Sequence, residues 1–159
     1  MKLGFSSLSL FMNSFYDILD IATNDGFKCV EILAEGPYLP RVLLQSDELE
    51  VFDSFDLDIY IHAPTVDLNP ASINCGIRLE TEKQIFETID LANKINAKAI
   101  TIHPGIVHRR EDRIRDMAIK YSIESLYKCS KYAKNMNVTL SLENMPNKFS
   151  FLGSSLEEY

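Results

Sequence analysis

Five short apolar runs alternate with helical patterns along this chain, and that alternation constrains the fold more than any other feature. The runs cover residues 2–6, Cys29–Leu33, Asp58–His62, 99–103 and 138–143, each rich in Ile, Val, Leu or Thr. The first helical stretch, Phe15–Asn24, is opened by Asn13 or Ser14 and stopped by Asn24-Asp25-Gly26. A weaker helix over 47–55 precedes the third run. The stretch 77–96 carries Ile85, Ile89 and Ala92 at helical spacing. Thr81 and Gln84 there have the spacing of a capping box, although a start near Ile77 places them inside the helix. The stretch 113–136 repeats the pattern through Ile114, Ala118, Tyr121 and Met136, and Asn137 ends it. A β-α-β-α-β-α-β-α-β order implies a parallel sheet with helical crossovers.

Within each run the residues divide by face. Ile59 and Ile61 oppose Tyr60 and His62; Ile100 and Ile102 oppose Thr101 and His103; Leu140 and Leu142 oppose Ser141 and Glu143. Likewise Val30 and Ile32 oppose Glu31, and Leu3 and Phe5 oppose Gly4 and Ser6. A parallel strand covered by helices on both faces reads as apolar throughout. These strands instead keep one polar or small face, which suits the lumen of a (β/α)8 barrel near its catalytic end. The expected fold is therefore α/β: a partial (β/α)8 TIM barrel, with parallel strands 1–5 and intervening helices.

The length of 159 residues fits one domain, 1–159, able to bury a core. With 16 Lys+Arg against 23 Asp+Glu, the net charge is −7 and no basic run stands out. This argues against broad non-specific nucleic-acid binding, while leaving room for a local basic patch. Cys29, Cys75 and Cys129 form neither a CxxC pair nor an even framework, so a reducing, cytoplasmic setting is expected. Gly4, Ser6, Ser7 and Ser9 interrupt the apolar start, which reads as a strand rather than a signal peptide. No apolar stretch approaches a membrane span, so no membrane partner is expected.

His62 and His103 end their strands in matching contexts, Ile-Tyr-Ile-His-Ala-Pro and Ile-Thr-Ile-His-Pro-Gly. The prolines stop the ladder just beyond each imidazole. On neighbouring strands the two histidines would stand side by side, about 5 Å apart. Glu143 ends the next strand on the same face, so two imidazoles and a carboxylate converge as a candidate divalent-metal site. His108 lies in the loop after His103. For Glu31, a salt bridge inside the wall and a substrate contact fit equally. Asn69 lies in the polar loop 65–77, a weak signal by itself. Arg109 and Arg110 suit a phosphate or carboxylate, but Glu111 and Asp112 beside them favour a solvated helix entrance. Cys29 and Cys129 read as packing residues, and Phe11, Phe15 and Tyr16 as core and lid.

His62-Ala63-Pro64, Asp67-Leu68-Asn69, His103-Pro104-Gly105 and Glu143-Asn144-Met145 together resemble the xylose isomerase-like TIM barrels. That superfamily includes endonuclease IV and the sugar-phosphate isomerases/epimerases. The resemblance spans nearly the whole chain. In endonuclease IV-like members, it implies that His62, His103 and Glu143 are zinc ligands. In the isomerase/epimerase branch, it implies that Glu143 binds a divalent metal (Zn, Mn, Mg or Co) and acts catalytically in proton transfer, with the histidines on substrate or metal. Glu31, Asn69 and His108 are the candidate substrate contacts. The stretch from His62 to Asn74 is closer to the isomerase-like members, since endonuclease IV usually has an aromatic residue where Thr65 stands.

The resemblance thus implies a divalent-metal-dependent sugar or sugar-phosphate isomerase/epimerase. The alternatives are an endonuclease IV-like zinc phosphodiesterase acting on abasic DNA and a non-enzymatic, self-associating relic. A full barrel needs eight βα units and about 250 residues. This chain is therefore expected to be the N-terminal portion of a longer barrel, inactive alone, with an incomplete metal site. Its next helix is expected to start over 154–158. A homo-oligomer covering the exposed edge strands is the expected assembly.

Overall fold

Each apolar run becomes a strand of one parallel sheet: β1 (Gly4–Ser6), β2 (Cys29–Leu33), β3 (Asp58–His62), β4 (Ile100–Ile102) and β5 (Leu140–Leu142). The computed structural model describes residues 1–155. The strands lie in chain order, β1-β2-β3-β4-β5, as in the wall of a (β/α) barrel. Rungs of apolar residues face one way, Phe5–Val30–Ile59 and Ile61–Ile100–Leu140. The rungs Ser6–Glu31–Tyr60 and Leu33–His62–Thr101–Ser141 face the other.

Helices α1 (Phe15–Asn24), α2 (Pro40–Leu43), α3 (Cys75–Lys94) and α4 (Asp112–Asn135) join the strands. Ile18 and Leu19 of α1, Ile85 and Ile89 of α3, and Cys129 and Ala133 of α4 share one buried core with Val30, Ile61 and Ile100. Each fully buried Ile or Leu contributes roughly 1.5–3 kcal/mol against solvent exposure. In the seam between α3 and α4, Glu82 is 7% exposed. It accepts hydrogen bonds from Ser125 Oγ at 2.7 Å and from Lys128 Nζ at 2.9 and 3.0 Å.

Several local readings change. Ser14 caps α1, its Oγ accepting from Asp17 N at 3.1 Å. Asn74 caps α3, accepting from Gly76 N at 2.9 Å, so Thr81 and Gln84 lie inside the helix and form no capping box. Thr81 Oγ1 instead donates to Ile77 O and accepts from Asn69 N. The helix expected over 47–55 is a 3-10 helix, Asp47–Ser54. Its buried residues, Leu49 and Phe52, stand three apart, the repeat of that tighter helix. Shorter pieces that the hydrophobic pattern did not announce are the 3-10 turns Ser7–Leu10 and Gly36–Tyr38, and α2 itself. Of the helix start expected over 154–158, residues 156–158 lie outside the described residues.

Beyond the C-terminal strand ends, the loops join into one rim. Val107 N donates to Ser150 O at 2.8 Å and Leu152 N to Gly105 O at 3.1 Å, with Ile106 and Phe151 forming an antiparallel bridge. Leu152 is fully buried with Ala71, Val107 and Ala118. Asn69 ties the loop after β3 to the loop after β4: Nδ2 donates to Ile106 O at 2.9 Å, and Oδ1 accepts from Ile106 N at 3.1 Å and Ala71 N at 3.0 Å. Gly105 permits this approach. It has φ +112°, and a Cβ there would stand 2.6 Å from Ala71 Cβ and Asn69 Oδ1. No helix among the described residues is long and apolar enough to cross a membrane.

Candidate metal centre

The rim brings His62, His103 and Glu143 together. His62 is the last residue of β3; His103 and Glu143 stand one residue beyond β4 and β5. Ala63 N donates to Thr101 O at 2.9 Å and Glu143 N to Ile102 O at 3.0 Å, which carries the ladder up to the site.

The two histidines do not share a rung. His62 is level with Thr101, and Thr101 with Ser141, so His103 and Glu143 stand two residues higher. Such stagger between neighbours is the shear that closing a barrel requires. The imidazoles still meet edge to face, with ring centroids 4.9 Å apart and planes at 86°. His103 Nε2 lies 2.9 Å from Glu143 Oε2, and His62 Nε2 lies 3.4 Å from the same oxygen. One ligand atom from each residue falls within 4.8 Å of the others.

The protonation pattern favours a cation. His62 Nδ1 is 2.9 Å from Ala63 O, and a carbonyl only accepts, so Nδ1 carries the hydrogen. In the neutral ring, Nε2 then presents a lone pair toward Glu143 Oε2, acceptor against acceptor. A second proton on His62 or a shared metal ion relieves that conflict. Burial, reinforced by neighbouring His62, holds the His103 pKa below its usual value, while Glu143 pulls it upward. The neutral ring that metal coordination requires is therefore favoured. Two imidazole nitrogens and one carboxylate oxygen suit Zn²⁺ and the other first-row divalent ions. The residues fit the metal that the sequence suggests.

Glu31 faces the same side of the sheet on β2, level with Tyr60, and accepts from Thr101 Oγ1 at 3.2 Å across β3. It therefore lies toward the lumen below the histidines. Asn69 is 6% exposed, with its amide engaged in joining the two loops. His108 is exposed and lines a separate cleft with Arg109. Arg110 stacks over the Phe149 ring at 5.3 Å. Phe15 enters the core, whereas Tyr16 is exposed. Burial pushes the Cys129 thiol up to about 12.

Sequence reading passed over Glu35, which is 9% exposed. Its Oε1 accepts from the backbone N–H groups of Thr65 and Val66, the latter at 2.8 Å, and so clasps the loop that follows His62. The available signal was its place just past the end of β2, equivalent to the positions that carry the other site residues.

Comparison with known proteins agrees with this architecture. Residues 19–159 match the family described as xylose isomerase-like TIM barrel, and the chain belongs to that family. It is 32% identical over 161 residues to Methanocaldococcus jannaschii MJ1188, covering 99% of this chain and 59% of the relative. A solved D-tagatose 3-epimerase-like protein superposes with a TM-score of 0.85 at 29% identity, over 99% of this chain and 58% of that one. Endonuclease IV from Thermus thermophilus shares the fold, with a TM-score of 0.75 at 19% identity, over 99% of this chain and 57% of that one. The chain thus spans just under three-fifths of the length of these relatives.

Proposed function

We propose that this chain supplies the first five strands, and part of the metal centre, of a sugar or sugar-phosphate isomerase/epimerase. The supporting observation is the convergence of His62 Nε2, His103 Nε2 and Glu143 Oε2 at the rim, with the lone pair of His62 turned toward a carboxylate oxygen. His62, His103 and Glu143 would hold a divalent ion, Zn, Mn, Mg or Co. Such an ion polarises the carbonyl and hydroxyl oxygens of a bound ketose, making the intervening C–H more acidic. Glu143, with one oxygen turned to both imidazoles, would take or return that proton through its other oxygen. Glu31 and Thr101 offer polar contacts lower in the lumen, and Asn69 and Glu35 hold the surrounding loops. A second carboxylate, from strands beyond the fifth, would complete the acid/base pair.

The test uses a barrel-length protein containing these residues. Solvent deuterium should enter the carbon beside a ketose carbonyl, the exchange should stop in chelator, and a divalent ion should restore it. Exchange that survives metal removal would overturn the mechanism. The second reading, a zinc phosphodiesterase acting on abasic DNA, draws on the resemblance of this wall to endonuclease IV. Zinc-dependent incision of an abasic duplex, without ketose exchange, would select it.

A further inference from the structure

Arginine is distributed very unevenly in this chain. Arg109, Arg110, Arg113 and Arg115 fall within seven residues, and only Arg41 and Arg78 lie elsewhere, in a chain of net charge −7. Two of the four are engaged with the segment after β5: Arg115 donates to the carbonyls of Phe149 and Phe151, and Arg110 stacks on Phe149. Arg109 has no hydrogen-bond or ion-pair partner among the described residues. It stands with His108 at the lip of a cleft of about 90 Å³, floored by Ala71, Val107, Ile114 and Ala118.

We infer that this cleft is a binding site for a short aliphatic carboxylate, separate from the His62–His103–Glu143 centre. The four floor side chains offer alkyl groups to a ligand body, while Asn69 and Ser72 add polar groups to the wall. The lip offers a guanidinium, whose planar fork suits a carboxylate. At about 30 Å³ per water, the cleft has room for about three waters, or a body of three to four carbons. A cleft with an apolar floor and one cationic group at its mouth selects an anion with a small branched tail over a free inorganic anion, which leaves the floor wet. Stitching of the loops after β3, β4 and β5 preforms the walls, so little ordering opposes binding.

The chain has three histidines, one at this cleft and two at the candidate metal centre. Imidazole NMR signals of the full chain therefore report on the two sites independently. Titration with sodium isobutyrate at neutral pH and constant ionic strength should shift the His108 ring signals saturably, with half-saturation in the millimolar range. The His62 and His103 signals should stay in place. Arg109→Gln, at an exposed position, should weaken the response tenfold or more. Neutral isobutyramide and inorganic phosphate should leave His108 unshifted.

Absence of a saturable His108 shift would overturn the assignment. So would an equal response to phosphate, or an unchanged response in Arg109→Gln. Zn²⁺ added to the same sample tests the metal centre separately, through His62 and His103. Failure at either site is thus distinguishable from failure at the other.

Discussion

Glu82 in the α3–α4 seam and Glu143 at the rim are both carboxylates approached by nitrogen, yet their surroundings differ. Glu82 meets the ammonium of Lys128 and the hydroxyl of Ser125, which bring hydrogens and compensating charge from within the chain. Glu143 meets two imidazoles, one of which, as the neutral Nδ1–H tautomer, turns a lone pair toward it. The first arrangement is complete as folded and serves as a staple. The second is completed by a second proton on His62 or by a shared metal ion. Burial separates them too: the Glu82 side chain is 9% exposed between two helices, that of Glu143 40% exposed beyond a partly exposed edge strand. The hydrogen count separates them further.

The largest expected effect breaks the comparison on the rim side. Glu143→Ala or His103→Ala should lower Zn²⁺ affinity about 100-fold, at or above the range seen for losing an outer-shell partner. Competition with a chromophoric chelator measures this, and unchanged affinity would show that the trio is not a metal socket. In the seam, Glu82→Ala should cost ~1–3 kcal/mol in urea unfolding, because the buried Ser125 hydroxyl loses its acceptor while Lys128 turns to water. The same variant should bind Zn²⁺ like the parent. Glu143→Gln should change metal-free stability by less than ~0.5 kcal/mol. A loss as large as that of Glu82→Ala would place both carboxylates in one structural class.

The smallest effect concerns the thiols. Exposed Cys75 should react with a disulfide reagent at once, whereas Cys129 should react only as the seam opens. With its pKa raised to about 12, Cys129 holds roughly one thiolate in ten thousand at pH 8. Its rate should climb as pH rises, and fast labelling near neutrality would show a loose seam.

The convergent trio was legible because strand side chains alternate with period two, which placed His62, His103 and Glu143 on the face of Tyr60, Thr101 and Ser141. The two-residue step between His62 and His103 was not, since register depends on how strands slide past one another. No single strand encodes that offset. Glu35 escaped notice because it follows β2 and acts through backbone N–H groups, which no side-chain pattern displays. The stretch 47–55 read as a weaker helix of unstated type because Leu49 and Phe52, three apart, suit either helical repeat. The start of α3 was read two residues late, and its end two residues late, because Asn74, two residues before Gly76, did not stand out among the polar residues of its loop.

The bond between Asn69 and Ile106, and the bridge from Ile106 to Phe151, weave three loops that many enzymes of this shape vary one at a time. Replacing any one of them cuts threads belonging to the other two. Transplanting the rim into another scaffold, or lengthening it to admit a bulkier ligand, therefore calls for moving all three segments as a single graft.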